Sequence, residues 1–144
     1  MYFTYIHEND IYNMGQFLGQ ISLLVKDYDE AIEYYSHVLE FDLIEDTRLS
    51  ETKRWVVMQP KGSFHGCRLL LAKASSSEQI KCIGNQTGGR VFLFLYTDDI
   101  MRDFDAYRNK GVEFIRPVQR ESYGKVTVFK DLYGNLWDLI EENK

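Results

Sequence analysis

Asp138 is the side chain in this sequence best placed to do chemistry. It lies within Leu136-Trp137-Asp138-Leu139-Ile140, a run that is otherwise apolar. Strand side chains alternate between faces, so Asp138 shares a face with Leu136 and Ile140 while Trp137 and Leu139 point the other way. A carboxylate among large apolar neighbours is costly unless it has a partner or a water-filled cavity. In a dry pocket its pKa would rise toward neutrality, and it could act as a general base. With other donors it could hold a cation. Read locally, the plainer assignment is an edge strand with Asp138 in water.

Other reactive residue types do not assemble into a known motif. His7, His37 and His65 are dispersed, and Cys67 and Cys82 form no Cys-x-x-Cys pair. The glycines of Gly84-Asn85-Gln86-Thr87-Gly88-Gly89 lack the following Lys-Ser/Thr of a phosphate loop, so they read as a connector.

The 144 residues suit one domain or two small fused halves. With 44% hydrophobic and 27% charged residues, the chain has the composition of a globular protein. Its net charge of -5 argues against nucleic acid or an anionic membrane as partner. No apolar run approaches membrane-spanning length, and residues 1–13 carry no signal pattern, so a cytoplasmic location is expected.

The elements that must position Asp138 follow from periodicity. Residues 1–16 form an N-terminal extension without clear pattern. Phe17 to Val25 reads as a strand with Ile21, Leu23 and Val25 on one face. Asp27 and Glu30 suggest a capping box opening a helix over Tyr28 to Leu39. Strands follow at Phe41–Glu45, Arg54–Gln59 and Arg68–Lys73, with a turn at Pro60-Lys61-Gly62-Ser63. After a linker the pattern restarts. A strand spans Val91–Thr97, a helix spans Ile100–Lys110 with Phe104 and Tyr107 buried and Gly111 as its stop, and strands span Val112–Arg116, Lys125–Lys130 and Leu136–Glu141. Leu132-Tyr133-Gly134-Asn135 has hairpin-turn composition.

The two halves align. Tyr35 and Tyr107 stand 72 residues apart, and Arg54–Gln59 parallels Lys125–Lys130. The predicted class is therefore α+β, built from two tandem βαβββ modules over residues 17–73 and 90–141. A unit of that size cannot cover both faces of its own sheet, so pairing of two units is expected.

This duplication resembles the vicinal-oxygen-chelate superfamily of glyoxalase I, bleomycin-resistance proteins, fosfomycin-resistance enzymes and extradiol dioxygenases. The residues that carry it are Leu23-Leu24-Val25-Lys26-Asp27 with Tyr34-Tyr35, Lys110-Gly111-Val112-Glu113-Phe114, Tyr123-Gly124, and Phe129 to Leu139. The last segment is similar to the family pattern Phe-x-Asp-Pro-x-Gly-Asn-x-x-Glu, with Leu132 in place of Pro and Asp138 in place of Glu. The resemblance covers nearly all of residues 17–141. It implies a single glyoxalase-like domain whose modules curl a mixed sheet around a cavity.

In that family, metal ligands come from the first and fourth strands of each module. The matching positions here are Gln20, Leu70, Phe92 and Asp138. Leucine and phenylalanine have no lone pair for a cation, so Gln20 and Asp138 are remnants of an incomplete site. No cofactor is implied beyond a weakly held Zn, Ni, Mn or Fe ion. The implied cavity face includes Gln20, Ser22, Leu24, Trp55, Leu70, Phe92, Phe94, Tyr96, Tyr123, Leu136 and Asp138, a surface suited to a small aromatic or amphipathic ligand. The leading expectation is a metal-free binding protein of the bleomycin-resistance type. The alternatives are a metal-dependent lyase or isomerase like glyoxalase I, a related dioxygenase, or a metal-free enzyme with Asp138 as catalytic base. The resemblance also implies a homodimer, with each cavity formed within one chain or across two. The linker, from about residue 74 to 90, permits either.

Overall fold

The computed structural model describes residues 15–63 and 66–144. Of the N-terminal extension only Gly15 and Gln16 fall within this range, and His65 lies outside it. The first module contains β1 (Gln20–Val25), α1 (Tyr28–His37), β2 (Asp42–Arg48), β3 (Arg54–Gln59) and β4 (Arg68–Lys73). A short helix, α2 (Ser77–Cys82), lies in the linker. The second module contains β5 (Leu93–Tyr96), α3 (Ile100–Asn109), β6 (Glu113–Phe114), β7 (Gln119–Glu121), β8 (Gly124–Lys130) and β9 (Leu136–Glu142).

The duplication is visible in the pairing. The sheets run β1-β4-β3-β2 and β5-β9-β8-β6, with β7 also on β8. Each opens with a parallel pair, β1 with β4 and β5 with β9, because a helix carries the chain to the far edge of the sheet and the antiparallel strands then return the last one beside the first. The last two strands of each module are antiparallel.

Both helices begin as their sequences require. Asp27 accepts a hydrogen bond from Glu30 N at 2.9 Å, and Asp99 accepts one from Arg102 N at 3.0 Å. The expected capping box at α1 is only half made. Glu30 instead accepts from the Tyr133 hydroxyl at 2.9 Å and so ties α1 to the second module. Glu141 on β9 accepts from Ile100 N at 2.8 Å and anchors the start of α3.

The expected Phe17–Val25 strand begins only at Gln20, with Phe17 and Leu18 exposed. Two other elements depart from the periodicity. The expected Val112–Arg116 strand is shortened to β6, and the chain resumes pairing as β7. Pro117 falls between them and has no N–H to give a ladder. Helix α2 leaves no mark in the periodicity because its six residues are too few to show a period; Ser76 caps it by accepting from Gln79 N at 3.2 Å.

The linker does more than connect. The Gln86 side-chain amide accepts from Leu24 N at 2.8 Å and donates to Ser22 O at 3.2 Å, so it pairs with the free edge of β1 as a short strand would. Gln86→Ala should lower stability by about 1–2 kcal/mol, measured by urea denaturation, because two backbone groups on that edge lose their partner.

One apolar core joins the modules. Leu23, Val25, Val56, Met58 and Leu71 of the first sheet and Tyr35 of α1 belong to the same buried cluster as Tyr107, Phe129, Trp137 and Leu139. Trp137 stacks on Phe129 at 5.7 Å and meets the edge of Phe41 at 5.8 Å. The residues are those that periodicity assigns to the inner faces. The opposite face of each sheet, which carries Gln20 in one and Asp138 in the other, therefore turns away from this shared core.

Candidate functional site

Asp138 occupies the centre of the outer face of the second sheet. Phe94 on β5 and Val128 on β8 stand directly beside it. Val126, Val128 and Ile140 are buried on this face, whereas Phe94 and Tyr96 on the edge strand β5 are 57% and 59% exposed. The result is a basin with an apolar floor and an aromatic rim. Phe92 enters the same row, its N–H donating to Leu136 O at 2.8 Å. Tyr123 lies at the turn between β7 and β8, half exposed.

Gln20, Trp55 and Leu70 form a second group on the outer face of the first sheet. Ser22 and Val57 flank Leu70, and Gln20 lies two residues along β1 from Ser22. Trp55 lies two residues along β3 from Val57, on the same face. Among the described residues no strand of one sheet pairs with a strand of the other. The clefts at the module seam, beside residues 15–18 and beside residues 84–90 are each lined by residues of at most one of the two groups. A single chain thus carries the two groups on two different sheets.

A separate cleft of about 390 Å³ opens at the seam between the modules. Its wall includes Ile21, Phe41, Leu69, Leu93 and Trp137, which are core-side residues, together with Phe94 and Tyr96. Its ionisable groups are Lys61, Cys67 and Tyr96, and Asp138 is not among its lining residues.

The four positions make a poor donor set for a divalent ion, because Leu70 and Phe92 offer no lone pair and only the Gln20 amide and the Asp138 carboxylate remain. Among the described residues, no three His, Cys, Asp or Glu side chains gather.

One functional candidate escaped the sequence reading. Arg116, just before Pro117, is near enough for its charge to act on Asp138. Asp138 Oδ1 and Arg116 Nε are both buried without a hydrogen-bond partner. Burial raises the Asp138 pKa above the ordinary carboxylate value, and the nearby Arg116 charge pulls it partly back. Yet among the described residues no ion pair joins the two within 4.0 Å. A basic residue directly after the apolar Phe114-Ile115 and before a proline was the available signal.

The raised pKa has a consequence for stability. A carboxyl group that binds its proton more tightly when folded destabilises the fold above that pKa, and the penalty is relieved as pH falls. Asp138→Asn should therefore raise the melting temperature by a few degrees at pH 7. The gain should fade as pH drops through the folded pKa to the ordinary carboxylate value. Thermal melts of both proteins across that range measure it.

Comparison with known proteins places this geometry. The profile of the Glyoxalase/Bleomycin resistance protein/Dioxygenase superfamily matches residues 17–139. An uncharacterized protein of Shewanella frigidimarina (strain NCIMB 400) is 57% identical over 131 residues, covering 90% of this chain and 96% of that one. The crystal structure of TnmS3, an antibiotic binding protein from Streptomyces sp. CB03234, superposes with a TM-score of 0.71 at 25% identity, covering 90% of this chain and 98% of TnmS3. UcmS2 shares the fold, with a TM-score of 0.75 at 23% identity over 88% of this chain and 98% of its own. With a match across both modules and this architecture, the chain belongs to the Glyoxalase/Bleomycin resistance protein/Dioxygenase superfamily.

Proposed function

We propose that this protein is a metal-free, cytoplasmic binding protein for a small, flat aromatic or amphipathic molecule, and that it works as a homodimer. The observation that carries the reading is the exposed aromatic pair Phe94 and Tyr96 beside the half-buried Asp138. Exposed aromatic side chains next to a polar anchor suit a ring system with one polar edge. Similarity to TnmS3, which is described as an antibiotic binding protein, supports the same class of ligand.

The dimer supplies the missing wall. Each module has one sheet face against the shared core and a second face whose aromatic rim, Phe94 and Tyr96 in the second module, is exposed. The modules are repeats of one another, so the open face of the first module in one copy can close over that of the second module in another. Gln20, Trp55 and Leu70 of one copy then stand across the ligand from Phe92, Phe94, Tyr123 and Asp138 of the other.

A thermal-shift screen of aromatic antibiotics and aromatic metabolites, followed by calorimetry, tests the reading. The expected result is saturable stabilisation by at least one compound, with one site per chain. A screen without a hit, on protein that sediments as a monomer, would refute it.

A further inference from the structure

We infer that the linker walls off a cleft at one end of the second sheet, and that this cleft takes an oxyanion group of the ligand, a carboxylate or a phosphate, held by Arg90 and Lys130. The inference rests on the proposed small-molecule site and adds the charge that its ligand carries.

The cleft has a volume of about 270 Å³. Phe92, Lys130 and Leu136 line it from the sheet, and Gly84, Thr87 and Arg90 line it from the linker. Lys130 is the register partner of Leu136, and the Phe92 N–H bonds to the Leu136 carbonyl, so these three make one row across the outer face. Phe94 and Asp138 make the next row, two residues along and roughly 7 Å away. The cleft therefore adjoins the aromatic basin. Its linker wall is held in place. Gly84 has a φ of +73°, and a Cβ there would run into the Tyr133 carbonyl, so the chain lies directly on the β8–β9 turn. Beyond it Gln86 is tied to β1, and Thr87 Oγ1 donates to Arg90 O at 2.6 Å. A wall fixed in this way loses little freedom when a ligand arrives.

The charge of the cleft is one-sided. Among the described residues its charged side chains are Arg90 and Lys130, and no carboxylate lines it. In a chain of net charge -5, two cations without an acid between them are a local exception. Among the described residues Arg90 enters no ion pair. Lys130 Nζ has Glu113 at 3.4 Å, an exposed surface pair of the kind that contributes little and that an arriving anion can replace. Both cations can only donate, so their complement is a group rich in acceptors. A carboxylate or phosphate meets the planar fork of an arginine with two parallel bonds. Phe92 and Leu136 lie beside the cations and cover the apolar carbon that joins this group to a ring. The like charge of Asp138 stands a row farther off.

The test uses the full-length protein and three probes with one ring system: 2-naphthoate, 2-naphthyl phosphate and 2-methylnaphthalene. Affinities are read by calorimetry at low and high salt. At low salt at least one anion should bind about tenfold more tightly than the hydrocarbon, and the advantage should shrink as salt is added. The tighter anion identifies the group as carboxylate or phosphate. In Arg90→Gln/Lys130→Gln the advantage should fall to within about twofold, with 2-methylnaphthalene affinity unchanged. Glu113→Gln removes the competing carboxylate and should raise anion affinity about twofold, a gain that serves if the double variant does not fold. Equal affinity for the three probes in the native protein overturns the cleft assignment alone. So does an anion advantage that survives the double substitution. Failure of every probe to bind overturns the binding-site reading and this inference together.

Discussion

Asp131→Ala should destabilise the protein by about 3–5 kcal/mol and lower its melting temperature by roughly 10–15 °C. Asp131 is only 6% exposed, and its carboxylate is the acceptor at the centre of a buried cluster. Tyr35 Oη donates to it at 2.6 Å, Trp137 Nε1 at 3.0 Å and Asn135 Nδ2 at 2.9 Å. The backbone N–H groups of Tyr133 and Asn135 add bonds at 3.1 and 3.0 Å. Removing the acceptor strands the hydroxyl of Tyr35 and the indole N–H of Trp137 inside the core, where each unpaired donor costs about 1–3 kcal/mol. Because Tyr35 belongs to α1 and the other donors to the β8–β9 turn and β9, the loss also loosens the first module from the second. Tyr35→Phe removes one donor rather than the acceptor and should cost only about 1 kcal/mol. Chemical denaturation of both single variants and the double variant measures the coupling. A loss below 1 kcal/mol for Asp131→Ala would mean that the cluster does not hold the modules together.

Phe94→Asp is the second large expected effect, and it should act on assembly rather than on the fold. In one chain Phe94 is mostly exposed on the edge strand, so a carboxylate there meets water and the melting temperature of the monomer should hold. In the proposed dimer the same position is covered by the partner and stands beside Asp138, where a second carboxylate is desolvated and repelled. Dimer affinity and ligand affinity should each fall at least about tenfold, the equivalent of ~1.4 kcal/mol. Sedimentation velocity across a dilution series and calorimetry with a bound hit provide the two readouts.

Much of this architecture could be read from residue order. Asp27 and Asp99 each precede a helical period, the alternation of Leu23 and Val25 or of Trp137 and Leu139 sets the inner faces, and Tyr35 and Tyr107 mark the repeat. These signals are local, and each appears where expected. What could not be read is non-local. Nothing near Asp131 announces that one of its donors, Tyr35, comes from a helix 96 residues away, so its deep burial is not legible in the sequence as the isolation of Asp138 is. Arg116 was invisible for the same reason, since it gains meaning only when β8 and β9 bring Val128 and Asp138 alongside it. The expected site residues split between two sheets because alternation tells which face a side chain takes, not which way that face turns in space.

The account turns on whether the two half-sites meet between copies. In a Cys67→Ser/Cys82→Ser background, Leu70→Cys and Phe92→Cys place one thiol on each outer face of the same chain. A short bismaleimide added to this variant should join two chains, giving a band at twice the 17.0 kDa chain mass on a denaturing gel. A band that stays at the single-chain mass with both thiols consumed would place the two faces together within one chain and contradict the account.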